Sequence, residues 1–413
     1  MKRRVVITGM GTINPAGHNK GEYWDTLLKA DSCIDTIEAF DASEYASHIA
    51  GEVKDFDFTS VADKKDVKRS DRYILLALAA AKEAMEDSGI DLNSIDLNRF
   101  GTVISSGVGG IKTLETENKK LLEKGPRRLS PFLIPMMIGD MAAGRISIEY
   151  GLKGPNYGIV SACASASHAI GNTWALLKTG IIDAAMVGGS EAAVTPIGVG
   201  GFSAMKALSL RNNDPKKASR PFDKDRDGFV IGEGAGLLII ETLEHALKRG
   251  AKIYAEITGY AATGDAHHLS EPAPEGEGAQ RAMKGAIESA GIQYSDIDYI
   301  NAHGTSTPFN DKNESKAVER VFGSHAGNLN ISSCKSVTGH LLGASGGIEA
   351  IATALALQKG IIPPTANYEV RDPECPLNYT PNKPVEKGIT YALKNSFGFG
   401  GHNASLVFKK YND

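Results

Sequence analysis

The chain has 413 residues, 42% hydrophobic and 23% charged, with a formal net charge of −4. That length holds two large halves with an ample core, and that balance excludes a disordered chain and a strongly basic binder of nucleic acid or membrane surfaces. No apolar run is long enough to span a membrane, and Cys33, Cys163, Cys334 and Cys375 are scattered without a CxxC pair, which argues against a disulfide framework or zinc site and points to a reducing, cytoplasmic setting.

Taken in order, Met1-Lys2-Arg3-Arg4 is basic, and the apolar run after it is too short for a signal peptide and reads as a first strand at 5–8. Gly9-Met10-Gly11-Thr12-Ile13-Asn14 lacks the third glycine of a dinucleotide-binding turn and reads as a plain strand-to-loop turn. The basic cluster Lys64-Lys65-Asp66-Val67-Lys68-Arg69 leads into a helix at 73–87, then a strand at 102–105 ends in Gly107-Val108-Gly109-Gly110. Pro126, Pro131 and Pro135 make 119–145 a connection of mixed irregular and helical pieces. A strand end at 158–160, a helix at 169–178, a buried strand at 184–187 closed by Gly188-Gly189, a strand at 237–241 and a helix at 242–249 complete the first half.

The second half begins at 253 and repeats the first. Helix 281–289, the link Ala290-Gly291-Ile292 and strand 299–302 match helix 80–87, Ser88-Gly89-Ile90 and strand 101–105. A helix at 314–322, a strand at 329–333, a helix at about 340–357 and strands at 390–395 and 404–408 follow. Alternating strands and helices imply an α/β fold with parallel sheets, and the repeat implies two pseudo-symmetric layers with a site between them. The halves divide as 1–251 and 252–413.

Three strand-end loops hold unusual residues: Cys163 in the first half, His303 and His340 in the second. Cys163 lies where a strand passes into a helix, and a helix dipole lowering its pKa from about 8.5 to about 7 would leave half of it as thiolate. Locally the alternative is a buried, inert cysteine. Strand-end loops of open α/β sheets gather ligands, so the three side chains are expected to converge.

These residues stand in longer motifs. Val160-Ser161-Ala162-Cys163-Ala164-Ser165, Asn301-Ala302-His303-Gly304-Thr305-Ser306-Thr307, Lys335-Ser336-Val337-Thr338-Gly339-His340, Ser219-Arg220-Pro221-Phe222-Asp223 and Asn395-Ser396-Phe397-Gly398-Phe399-Gly400-Gly401 occur in one order. Together the motifs resemble those of the β-ketoacyl-acyl-carrier-protein synthases, elongating type II enzymes of fatty acid synthesis. The resemblance implies the duplicated thiolase fold, an α-β-α-β-α core and a homodimer. It also implies a decarboxylating condensation without metal or organic cofactor, the phosphopantetheine arriving on acyl-carrier protein.

By the same resemblance Cys163 accepts the acyl chain, and His303 and His340 stabilise the enolate left when the malonyl thioester loses CO2. Backbone N–H groups of Cys163 and Phe399 form the acyl oxyanion hole, and Lys335, with Glu349 as its expected partner, has an electrostatic or organising role near His340, a purely structural pair being the alternative. Thr305 and Thr307 bind the pantetheine arm, while Val108, Phe202 and Ile134 are candidates for the acyl tunnel, with core packing the plainer alternative. The basic residues Lys64, Lys65, Lys68, Arg69, Arg127, Arg128 and Lys206 are expected to dock acidic carrier protein rather than serve only as a solvated face. His402 stands where many relatives have Thr.

A histidine at 340 favours the decarboxylating elongating class over the Cys-His-Asn initiating enzymes. The intact cysteine argues against a non-catalytic ketosynthase-like subunit, and the absence of fused domains favours fatty acid over polyketide elongation. Gly343-Ala344-Ser345-Gly346-Gly347 fits a hydrolase nucleophile pattern without the preceding strand that pattern needs. Asp223-Lys224-Asp225-Arg226-Asp227-Gly228 imitates a calcium loop but has Gly234 where the closing Glu belongs, and is expected to be a charged structural turn.

Overall fold

The computed structural model describes residues 3–412, so Met1 and Lys2 of the basic start lie outside the described residues. The ten-stranded central sheet takes five strands from the first half: β1 (Val5–Ile13), β2 (Phe100–Ser105), β3 (Asn156–Tyr157), β4 (Ala184–Glu191) and β5 (Gly234–Thr242). Five come from the second: β6 (Ala255–Gly264), β7 (Ile297–Asn301), β8 (Asn330–Ser332), β9 (Tyr391–Gly398) and β10 (His402–Lys410). They run in the order β3-β2-β4-β5-β1-β6-β10-β9-β7-β8. Each strand of the first half thus has its counterpart five strands later, in the same relative place. The halves join where Val5 to Ile7 pair antiparallel with Ile257 to Ala255.

The six helices that matter are α1 (Arg72–Ser88), α2 (Ile111–Lys124), α3 (Ser165–Lys178), α4 (Glu277–Ala290), α5 (Pro308–Phe322) and α6 (Ser345–Lys359). Helix α1 packs on the first half-sheet and α4 on the second, whereas α3 and α6 touch each other and strands of both. This is the expected α-β-α-β-α layering. Alternation along the strands explains it. Val103, Val187, Leu238 and Ile240 join the central cluster around Ile170, Ile348 and Ile351, while Ile104, Met186, Leu237 and Ile239 face α1. Strands buried on both faces read as continuous apolar runs.

The sheets are mixed rather than parallel. In each half three strands are parallel, and the remaining ladders (β4–β5 and β1–β5, then β9–β10 and β6–β10) are antiparallel. A hairpin is enough to reverse a strand: β9 turns into β10 through Phe399-Gly400-Gly401, with φ of 83° and 72° at the glycines.

Several boundaries differ from the sequence reading. Gly9 and Gly11 form no turn and lie within β1, where an added Cβ would meet Ala84 O at 2.4 Å and Ala80 O at 2.1 Å on α1. The glycines and the alanine stripe of α1 let helix and strand approach closely, so a side chain there would strain the core by about 1–3 kcal/mol. Gly188-Gly189 continue β4 instead of closing it, because β5 passes so near that a Cβ on Gly188 would sit 2.1 Å from Gly236 O. Residues 158–160 form no strand, and β6 has no counterpart in the sequence reading. Helix α2 forms within a stretch expected to be partly irregular, and α5 starts at Pro308, capped by Thr307.

Candidate active site

Past β3, Val160 is 67% exposed, then the chain dives at Ser161. Cys163 sits in the turn Ala162–Ala164 immediately before α3. Ala162 takes φ 50°, and the equivalent turn before α6 repeats this with Leu342 at φ 46°. Cys163 therefore has Gly343 as its counterpart. A non-glycine residue in this region costs about 1–3 kcal/mol, which surrounding contacts must offset. Here Ser165 Oγ accepts from Ser161 N at 2.9 Å and donates to Ala162 O at 2.7 Å, closing the turn. Ser161 Oγ meets His168 Nδ1 at 2.5 Å.

Cys163 is buried in an apolar cluster with Val199, Phe229, Ile231 and Leu342. Burial pushes its thiol up to about 12; Lys335 opposes this, and Glu191 and Glu349 add to it. The expected drop toward 7 is not what the fold provides, because desolvating a thiolate outweighs one helix terminus.

His303 follows β7 and His340 precedes α6, five residues outside that helix rather than in it. Both are buried, and their rings meet edge to face at 5.4 Å between centroids. Burial holds both well below the ordinary histidine range, and the neighbouring Lys335 and Lys394 push the same way, so both are neutral. His340 N donates to Val230 O at 2.7 Å and its Nδ1 lies 2.8 Å from Ser345 Oγ. His340 Nε2 has no hydrogen-bond partner among the described residues. The loop of His303 is held from below by α5: Glu314 accepts from His303 N at 2.9 Å and Gly304 N at 2.8 Å, and Asp311 accepts from Thr305 N at 3.0 Å.

Lys335 Nζ donates to His303 O at 2.6 Å, lies 3.5 Å from His303 Nδ1 and pairs with Glu349 Oε1. The other oxygen of Glu349 is 2.9 Å from Lys394 Nζ. All three charged side chains are fully buried.

A cavity of about 340 Å³ brings Cys163, His303, His340, Thr305, Thr307, Phe202 and Phe399 together, with Lys206 on its lining. The Thr305 and Thr307 hydroxyls lie 2.9 Å apart. Gly398 lies over the nucleophile turn: a Cβ there would be 3.1 Å from Cys163 N and 2.7 Å from Ser161 O. Val108, 46% exposed, and Ile134, 57% exposed, lie outside the cavity lining and outside the core, because both are on the surface of the first half. Lys64, Lys65, Lys68, Arg69, Arg127 and Arg128 are all exposed, with Arg69 stacked over Phe132 at 4.4 Å. His402 is exposed at the start of β10.

The rival motifs resolve locally. Ser345 is buried, opens α6 and bonds His340, and Gly346 and Gly347 let α6 approach Ser167 and Gly236. Asp223 spends its oxygens on Arg220 and the amides of Asp225, Glu369 and Val370, while Arg226 pairs with Asp372. Among the described residues no group of three or more His, Cys, Asp or Glu side chains is placed to hold a metal ion.

Sequence reasoning missed Glu191, Glu314 and Lys394. Glu191 accepts from Ser106 Oγ, Gly107 N, Val108 N and Gly343 N, tying the β2 loop to the counterpart of the nucleophile turn. The Thr-Pro helix start at 307–308 signals that Asp311 and Glu314 lie in the first turns of α5, one face of which meets the His303 loop. Nothing local marks Glu191 or Lys394, which read as ordinary strand residues.

Residues 2–246 match the family described as beta-ketoacyl synthase, N-terminal domain, and residues 254–369 its C-terminal domain. The chain is 51% identical to 3-oxoacyl-[acyl-carrier-protein] synthase 2 of Synechocystis sp. over 410 residues, and 51% identical to the protein of that name in Staphylococcus aureus over 409, each covering 99% of both chains. Among solved structures it superposes on a beta-ketoacyl synthase from Burkholderia phymatum with a TM-score of 0.93 at 34% identity, covering 99% of this chain and 100% of that one. It also superposes on a type II polyketide ketosynthase solved with its acyl-carrier protein, with a TM-score of 0.91 at 34% identity and full coverage of both chains. With its thiolase-like duplicated fold and its Cys-His-His cavity, the chain belongs to the β-ketoacyl synthase family of acyltransferase-type condensing enzymes.

Proposed function

We propose that this chain lengthens fatty acyl chains by decarboxylating condensation, with Cys163, His303 and His340 in the roles the geometry allows. Cys163 Sγ attacks the thioester of an acyl-carrier protein, the C–S bond to the carrier breaks, the Cys163 proton passes to the leaving carrier sulfur, and the acyl group stays on Cys163. Malonyl-carrier protein then enters. Its C2–carboxylate bond breaks, CO2 departs, and the electron pair passes into the thioester as an enolate. C2 attacks the acyl carbonyl on Cys163, the C–S bond breaks, 3-oxoacyl-carrier protein leaves, and the departing Cys163 thiolate takes up a proton to restore the thiol.

The observation that carries this reading is the pair of buried, neutral imidazoles sharing a cavity with a buried cysteine. A neutral ring is an N–H donor at one nitrogen only, so its tautomer matters. The Lys335 ammonium donates and never accepts, so His303 Nδ1 facing it presents a lone pair and the proton sits on Nε2. A Ser345 hydroxyl donating to His340 Nδ1 does the same for the second ring. Two N–H donors then face the developing enolate, each worth about 3–4 kcal/mol in the transition state. The Cys163 N–H, beneath the Gly398-Phe399 turn, supports an oxyanion hole for the acyl carbonyl. Phe202 and Phe229 pave the way for the acyl tail.

Relatives at 51% identity are named 3-oxoacyl-[acyl-carrier-protein] synthase 2, while a type II polyketide ketosynthase matches at 34%, which favours the fatty acid reading. Acyl-carrier protein is the proposed partner, docked on Lys64, Lys65, Lys68, Arg69, Arg127, Arg128 and Lys206. A second copy of the chain is proposed to cover the exposed edge of β3 with Val108, Ile134 and Val160, which would bring Val108 and Ile134 toward the acyl site. No cofactor or metal enters these steps. The scattered free cysteines fit a cytoplasmic setting, and among the described residues no helix is long and apolar enough to cross a membrane. Intact-protein mass spectrometry with a series of acyl-carrier proteins tests the reading: acyl mass on Cys163 is expected, and acylation elsewhere or nowhere overturns it.

A further inference from the structure

Lys394 lies on β9, fully buried, with no place in the steps above. Its Nζ meets three acceptors: Glu349 Oε2 at 2.9 Å on α6, Ser167 Oγ at 2.6 Å on α3, and Ser396 Oγ on its own strand. These partners sit on the helix behind Cys163, the helix after His340 and the strand leading to Phe399. Two of its donors go to the serine hydroxyls, and the contact with Glu349 Oε2 is an ion pair without hydrogen-bond geometry.

The partner of Lys394 is also the partner of Lys335. Glu349 is a single carboxylate between two buried amines. Facing Lys335 alone, in a dry site, it would form a compact pair in which the proton could settle on either member. A second cation on its far oxygen favours the ionised carboxylate and so leaves the third proton on Lys335. Lys335 needs that proton, because its three acceptors are Glu349 Oε1, His303 O and His303 Nδ1.

We propose that Lys394 is a positioning residue for the condensation: by holding the far oxygen of Glu349 it keeps Lys335 fully protonated, and so fixes the His303 ring with its proton on Nε2. This rests on the proposed reading of His303 as an enolate donor. The charged and titratable groups facing Lys394 are Glu349, Lys335, Cys334, His303, His340 and His168; those facing His303 are Lys335, His340 and Lys394. Burial pulls Lys394 below an ordinary lysine while Glu349 holds it up, and Lys394 helps keep both histidines uncharged.

The test is Lys394→Met in the full-length enzyme, with 15N-labelled histidine read by NMR beside the two half-reactions. The variant is expected to lose the single Nε2–H form of His303 and to slow malonyl decarboxylation about tenfold, equivalent to about 1.4 kcal/mol, with acyl transfer to Cys163 held within about twofold. An unchanged tautomer with unchanged decarboxylation overturns the proposal, as does an equal loss in both half-reactions, which marks a purely structural lysine. Should the variant not fold, 15N-lysine NMR of the wild-type enzyme decides: a neutral Lys394 or Lys335 at pH 7 overturns it, and two ammonium signals support it. Full decarboxylation by His303→Ala would instead sink the reading of the site, and the tautomer measurement would still judge Lys394.

Discussion

Lys335 meets His303 at two points, donating to its carbonyl at 2.6 Å and lying 3.5 Å from its Nδ1. One buried amine thus holds the His303 backbone and faces one nitrogen of its ring.

Removing the donors should separate the two half-reactions. Each of His303→Ala and His340→Ala is expected to leave acyl transfer to Cys163 nearly intact and to cut malonyl decarboxylation about 100- to 1,000-fold. Cys163→Ala should abolish acylation and condensation while still releasing CO2 from malonyl-carrier protein. Measured CO2 release and intact mass together check this, and loss of acylation in the histidine variants would show the roles to be reversed.

Stability should depend on pH in a direction set by the buried groups. His303 and His340 have folded pKa values well below 6.5, so below about that pH the unfolded chain takes up protons that the folded chain refuses. Stability is therefore lost as pH falls below about 6.5, by up to about 1.4 kcal/mol per pH unit for each histidine. Cys163 acts at the other end: with its thiol raised from 9.0 to about 12, the unfolded chain ionises first and stability falls as pH rises above 9.0. Urea unfolding from pH 7.5 to 5.5 should show a shallower acid slope for His340→Asn than for the wild type, and equal slopes would contradict a buried neutral His340.

Crowding the nucleophile turn should injure both half-reactions at once. The Cβ of Gly398→Ala would sit 2.7 Å from Ser161 O and 3.1 Å from Cys163 N, closer than real contacts allow. The hairpin carrying Phe399 must then shift, at a cost of about 1–3 kcal/mol, and kcat should fall for acylation and condensation alike. A variant impaired only in decarboxylation would mean that the turn does not serve the acyl carbonyl.

Charge reversal at Lys64, Lys65 and Arg69 should raise KM for carrier protein and flatten its salt dependence, with kcat unchanged, because the residues are exposed and steer an acidic partner. Steady-state kinetics at two ionic strengths measure this. An unaltered KM would return the cluster to an ordinary solvated face.

How much of this was legible follows the range of the interactions. Cys163, His303, His340 and Lys335 stand in local motifs, and the repeat of helix, link and strand marks the duplication. The reaction itself comes from the resemblance of those motifs to the β-ketoacyl synthases. Glu191 and Lys394 escaped because each acts on a residue far along the chain, Glu191 on Gly343 and Lys394 on Ser167, whereas Glu314 acts on His303 only 11 residues away and had its signal in the Thr-Pro helix start.

By itself the sequence determined an α/β chain of two repeated halves with a cysteine and two histidines in strand-end loops, since periodicity and loop composition are written locally. Only the tertiary structure decided that the sheets are mixed, that Val108 and Ile134 face outward, and that the Cys163 thiol is held protonated near 12 instead of drifting toward 7. Desolvation is a property of everything packed around an atom, and no stretch of sequence around Cys163 states what the other half of the chain will place there.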